Sequence, residues 1–84
     1  MKGSNMTTKP FFVRAEWDEE ARVWVASSDD VPGLATEGDT LEELIQKLKI
    51  MIPELLEANG IVVNQEVPFE LFSRRFEITQ QATL

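Results

Sequence analysis

The chain has 84 residues, with 8 Lys and Arg against 15 Asp and Glu, a formal net charge of −7 and a pI near 4.4. That length suits one compact domain, since domains run from roughly 50 to 250 residues, and 43% apolar residues is the content of a globular core, not of an acidic disordered tail. Cys, His and Tyr are all absent, which excludes disulfides, thiol nucleophiles and Cys zinc sites and removes the commonest general base and transition-metal ligand. A surface this acidic repels a phosphate backbone, so direct nucleic-acid binding is not expected.

Residues 1–10 are polar and small, with no apolar run behind Lys2. They do not form a secretory signal, whose apolar region spans about 7–15 residues. Met6 is a candidate natural start, and residues 1–10 are expected to be disordered. No stretch reaches the ~20 apolar residues of a membrane-spanning helix, so a soluble, cytoplasmic protein is expected. The folded domain is placed at residues 11–79, with 80–84 a frayed tail.

Phe11–Trp17 alternates, with Phe11, Val13, Ala15 and Trp17 on one face and Phe12, Arg14 and Glu16 on the other. Arg22–Ser27 is aromatic and β-branched, and the polar Asp18–Ala21 between them makes the pair a hairpin. Asp29-Asp30-Val31-Pro32-Gly33 predicts a turn with positive φ at the glycine. Leu34–Glu37 is a short third strand. Thr40-Leu41-Glu42-Glu43 is a capping box, in which the Thr40 hydroxyl accepts from the Glu43 amide and Glu43 reaches back. Leu41, Leu44, Ile45, Leu48, Ile52, Leu55 and Leu56 then form one apolar stripe of a helix that stops at Asn59-Gly60. Pro53 lies inside it, predicting a kink near Lys49–Pro53 or a break into two helices. In the last element, residues 67–78, Val67, Phe69 and Leu71 share one face, whereas Phe72, Phe76 and Ile78 share the other. Either a bulge flips the register or both faces are covered. One helix covers one sheet face, so the second set calls for a second copy of the chain. The expected architecture is α+β, β-β-β-α-β: one small antiparallel or mixed sheet, a single helix over one face, and the last strand at or near an edge.

Trp17-Asp18-Glu19-Glu20-Ala21, Val23-Trp24-Val25-Ala26, Asp30-Val31-Pro32-Gly33-Leu34 and Thr36-Glu37-Gly38-Asp39-Thr40-Leu41-Glu42-Glu43-Leu44 together resemble the HicB antitoxin family, and within it a short, uncharacterised branch. The resemblance covers roughly residues 11–59. It implies a β-β-β-α-β domain that self-associates and that binds and masks a small HicA-type RNA-cleaving toxin. Full-length members add a helix-turn-helix or ribbon-helix-helix after this domain. The six residues 79–84 are too few for either, so operator binding by this chain is not expected.

Candidate sites follow. Asp29, Asp30, Glu37, Asp39, Glu42 and Glu43 are expected to gather at the sheet-to-helix end, either as an acidic surface for a basic partner or as a solvated rim of caps and turns. Trp24 is expected to face away from the helix, as an interface anchor or half-buried beside a strand. Phe72, Arg74, Phe76 and Ile78 are candidates for a homodimer interface, and Arg74 and Arg75 are expected to pair with carboxylates of a neighbouring strand or chain. Ser27, Ser28 and Ser73 lack a histidine to activate them, no EF-hand spacing is present, and no cleft with opposed acids is suggested. No catalytic residue, metal or cofactor is assigned. Two functions are expected: an antitoxin-like module that masks a ribonuclease, or a self-associating structural or small-ligand-binding domain without a toxin partner.

Overall fold

A computed structural model describes residues 9–62 and 66–82. Most of the N-terminal segment expected to be disordered, and the last two residues of the expected tail, lie outside these. The elements are β1 (Phe11–Asp18), β2 (Val23–Ser27), β3 (Ala35–Gly38), α1 (Leu41–Ala58) and β4 (Phe69–Arg74). They form one four-stranded mixed sheet in the order β3-β2-β1-β4, with the helix on one face. β1 pairs antiparallel with β2 and parallel with β4, and β2 pairs antiparallel with β3. The α+β class and element order are as expected.

Local chemistry explains each junction. Asp18 Oδ1 accepts from the amides of Glu20 and Ala21 at 3.0 and 3.1 Å, and Asp18 O accepts from Arg22 N at 2.7 Å. Arg22 sits at φ 62° to turn the chain into β2. At Val31-Pro32-Gly33-Leu34, Leu34 N donates to Val31 O at 3.2 Å with Gly33 at φ 79°, the type II turn that Pro-Gly favours. β3 begins at Ala35, one residue later than the sequence suggests. The capping box forms, with Glu43 N donating to Thr40 Oγ1 at 3.0 Å and Asp39 N to Glu43 Oε1 at 2.8 Å. α1 then runs unbroken through Pro53, so the two-helix alternative does not occur. Pro53 and Lys49 are both exposed, and the carbonyl that loses its helical partner can turn to water. At the far end Gly60 N donates to Glu57 O and Ile61 N to Leu56 O, a Schellman closure.

The core is a single layer between α1 and the middle strands. Val13, Ala15 and Ala26 of the sheet and Val31 and Leu34 of the turn meet Leu44, Leu48, Ile52 and Leu56, and no polar or charged group among the described residues is buried with them. Small residues at the sheet centre let the helix lie close. The same closeness governs the helix start: a Cβ on Gly38 would stand 3.0 Å from Leu44 N and 3.2 Å from its Cα.

β4 keeps a uniform register from Phe11↔Phe69 to Glu16↔Arg74. The change of phase in the sequence is therefore not a bulge. Phe69 and Leu71 pack on the helix side, Phe72 points to the opposite face, and beyond Arg74 the chain continues as an arm, residues 75–82, outside the sheet. The expected long strand to Ile78 thus ends four residues earlier, near the point where β1 itself runs out.

Leu48 is fully buried at the middle of the helical row. Leu48→Ala is expected to cost about 2–5 kcal/mol, enough to unfold much of a domain this small, read as a lowered urea midpoint with an unchanged slope.

Candidate functional site: the open sheet face and its two edges

The face of the sheet away from α1 has no covering element among the described residues. Register places Ala35 and Glu37 of β3, Val23, Val25 and Ser27 of β2, Phe12, Arg14 and Glu16 of β1, and Glu70, Phe72 and Arg74 of β4 on this side. Phe12 and Phe72 meet edge to face with ring centroids 4.8 Å apart. Phe72 is nonetheless 56% exposed, and in the arm Phe76 and Ile78 are 79% and 75% exposed. β3 and β4 are the two edge strands, and among the described residues neither carries a further strand, so each can offer backbone groups to another strand.

Trp24 does not face this side. It stands opposite Trp17 in the β1–β2 register, where the two rings meet at 5.4 Å and 63° on the helix face and Trp24 packs against the core. It is a lid over the end of the core and not an outward anchor. The alternation within β2 allows two phases, and pairing with Trp17 selects between them.

The acidic residues do not form one cluster either. β3 runs antiparallel to β2, so Asp29 and Asp30 lie beside the start of β1, whereas Asp39, Glu42 and Glu43 lie at the opposite end, near Trp24. Glu37 sits between them on the β3 edge, its carbonyl accepting from Lys47 Nζ at 2.7 Å. Asp30 serves the fold locally, with its Oδ2 accepting from the Phe12 amide at 2.7 Å. Ser28 supports the same corner, its hydroxyl donating to Phe12 O while accepting from the Asp30 and Val31 amides. Asp29 is the outward member, 87% exposed at its side chain and 3.4 Å from Arg14.

At the other end Trp17 is the hub. Its indole N–H donates to Glu19 Oε1 at 2.8 Å, and the guanidinium carbons of Arg22 and Arg75 lie 5.5 and 4.2 Å from its ring. Arg75 also pairs with Glu77 in the arm, a carboxylate of its own segment. Arg74 stands opposite Glu16. Stacking of Arg75 on Trp17 had no signal in the sequence, because the two residues become neighbours only through the parallel β1–β4 pairing.

Chemically, these surfaces suit protein contact. No group of three or more acidic side chains among the described residues is placed to hold a metal ion. The depressions are shallow; one, beside the root of the arm, is lined by Glu16, Trp17, Arg74 and Phe76.

The adjacent aspartates separate structure from surface. Asp30→Ala is expected to cost about 1–2 kcal/mol by stripping the Phe12 amide of its acceptor. Asp29→Ala should stay within about 0.5 kcal/mol, as an exposed ion pair does. Thermal or urea unfolding of the two variants checks the contrast.

The family model for a domain of unknown function, DUF1902, matches residues 10–81. A UPF0150 protein of Thermotoga maritima is 38% identical over 56 residues, 67% of this chain and 75% of that one. The crystal structure of a hypothetical protein from the extremely thermophilic bacterium Thermus thermophilus is similar at TM-score 0.67 and 53% identity, covering 87% of this chain and all of the other. With the match spanning nearly the whole folded region, the chain belongs to the DUF1902 family.

Proposed function

We propose that this chain is a protein-binding module of the HicB kind, which docks and masks a small basic HicA-type ribonuclease. The observation that carries this reading is the uncovered sheet face, which carries exposed carboxylates at its β3 edge and beside the start of β1. Val25 offers apolar area there, with Glu37 beside it and Asp29 at the corner. Such a surface competes with RNA for a cationic partner: exposed carboxylates speed encounter, and the apolar centre holds the complex. The net charge of −7 favours a basic partner and disfavours nucleic acid itself. Masking needs no catalytic group on this side; the module is a lid on another protein's active site, acting in the cytoplasm.

The test is to mix the protein with the product of a neighbouring gene for a small basic protein, and to follow complex formation by light scattering and RNA cleavage. A complex that suppresses cleavage is expected. Because screening shortens to about 3 Å at 1 M salt, the complex should weaken strongly there, and the double variant Asp29→Lys, Glu37→Lys should bind at least tenfold more weakly. Binding indifferent to salt and to both charge reversals would sink the assignment of the partner to this face.

A second reading, a self-associating domain without a toxin partner, is favoured by a separate observation: Phe72, Phe76 and Ile78 expose large apolar surface on the β4 side. On that reading the protein is a dimer, and Phe72→Ser with Phe76→Ser yields a soluble monomer by light scattering. An unchanged dimer in the double variant would remove β4 and the arm from the interface.

A further inference from the structure

We infer that the arm pairs antiparallel with the same segment of a second copy of this chain, about a two-fold axis at Phe76. The inference rests on the self-association reading and specifies how the two copies meet.

The arm begins in the phase of β4. β4 puts Ser73 opposite Ala15 on the helix face and Arg74 opposite Glu16 on the open face. The alternation continues past the end of the sheet, since Arg75 lies over the ring of Trp17, a helix-face residue. Phe72, Arg74, Phe76 and Ile78 thus share the open side, and Ser73, Arg75, Glu77 and Thr79 the other. The edge of β4 away from β1 carries no strand among the described residues.

Two-fold pairing in one sheet allows only registers in which some residue meets its own copy, because opposed residues must point to the same face. Centring on Arg74 or Arg75 sets arginine against arginine, and centring on Glu77 sets glutamate against glutamate. Centring on Ser73 places Phe76 opposite Glu70 and Arg75 opposite Leu71, and centring on Phe72 pairs Arg74 with Glu70 but sets Phe76 opposite Pro68 and Arg75 opposite Phe69. With Ile78 at the centre, Phe76 faces Gln80 and both arginines lack an acid. The axis at Phe76 differs from all of these. It places Arg75 opposite Glu77 twice, Ser73 opposite Thr79 twice, and Phe76 opposite Phe76, with Arg74 opposite Ile78 and Phe72 opposite Gln80 at the flanks. Opposite charges, hydroxyl pairs and aromatic pairs are the cross-strand contacts that favour pairing. Ile78 then lies diagonal to Phe72 of the other copy, extending the Phe12–Phe72 contact into one apolar row across both chains.

Charge and area agree. Two copies at −7 each repel, whereas residues 72–80, with two arginines and one glutamate, carry a small net positive charge. Phe72, Phe76 and Ile78 are large apolar side chains left mostly exposed, and pairing of the two arms removes part of that surface from water.

Sedimentation equilibrium on wild type, Arg75→Glu, Glu77→Arg and their equimolar mixture tests this. Wild type is expected to be a dimer. Each single variant sets like charges together twice and should raise the dissociation constant about tenfold or more. The mixture restores both ion pairs and should form a heterodimer within about threefold of wild type. Wild type monomeric at about 100 µM, a concentration well above the dissociation constant of a specific dimer, overturns both the inference and the self-association reading. A wild-type dimer with unaffected single variants, or weakened singles whose mixture fails to pair, overturns the register alone and leaves self-association standing. Phe76→Cys gives an independent readout in a chain with no other cysteine. Opposed Cα atoms at about 4.5–5.5 Å suit a disulfide, so mild oxidation should yield a covalent dimer from Phe76→Cys and none from Gln80→Cys. Failure of Phe76→Cys to cross-link overturns the pairing.

Discussion

One helix about 10 Å wide lies over a sheet whose four strands, at about 4.8 Å spacing, span some 15 Å or more. It can seal the middle of one face and nothing else. That mismatch sets the distribution of burial. The inward residues of β1 and β2, Val13, Ala15 and Ala26, are sealed against a single helical row, whereas Phe69 and Leu71 of β4 are only partly covered. It also sets the functional possibilities of the sheet, whose remaining surface belongs to the opposite face or to an edge. The chain builds the least core that holds the sheet together and leaves the remainder for contact.

Seating that helix depends on its first turn. Gly38 brings the end of β3 within touching distance of Leu44, the Thr40 and Glu43 side chains satisfy the amides exposed there, and Lys47 reaches back to the Glu37 carbonyl. These contacts fix both where the helix begins and how closely it lies, so the four inward leucine and isoleucine positions arrive in register with the sheet. The capping box is thus a packing device as much as a local one. Of the acids near it, Glu43 is occupied in this way, whereas Glu37 and Asp29 lie elsewhere, on the side of the sheet away from the helix.

Features set by neighbours in sequence were legible: the hairpin, the Pro-Gly turn, the capping box, the helical stripe and the glycine stop. What failed was what required knowing a distant partner. Trp24 was misplaced because the faces of β2 can be told apart only by its pairing with β1. The acidic residues are close along the sequence, but β3 carries the chain back across the sheet and separates them. β4 joins β1 in parallel with no turn to announce it, and so Arg75 over Trp17 left no trace in local pattern. The two-sided character of the last element was legible as a conflict of phase, and its resolution, an uncovered face, followed from counting helices.

The parallel pairing of β1 with β4 has a consequence for how the domain assembles. Phe11 and Phe69 stand side by side although nearly the whole domain separates them along the chain, so their contact closes a long loop that the local elements do not. The hairpin, turn and helix can form first, leaving the outer backbone of β1 waiting. β4 contributes no fully buried side chain and lies at an edge of the sheet, so it can open without unpicking the core, a strap more than a foundation. When it lifts, the vacated edge of β1 accepts a strand without regard to which chain supplies it. Crowded or heated, this fold is therefore built to exchange its last strand between molecules, a route to domain-swapped chains encoded in the order of its strands.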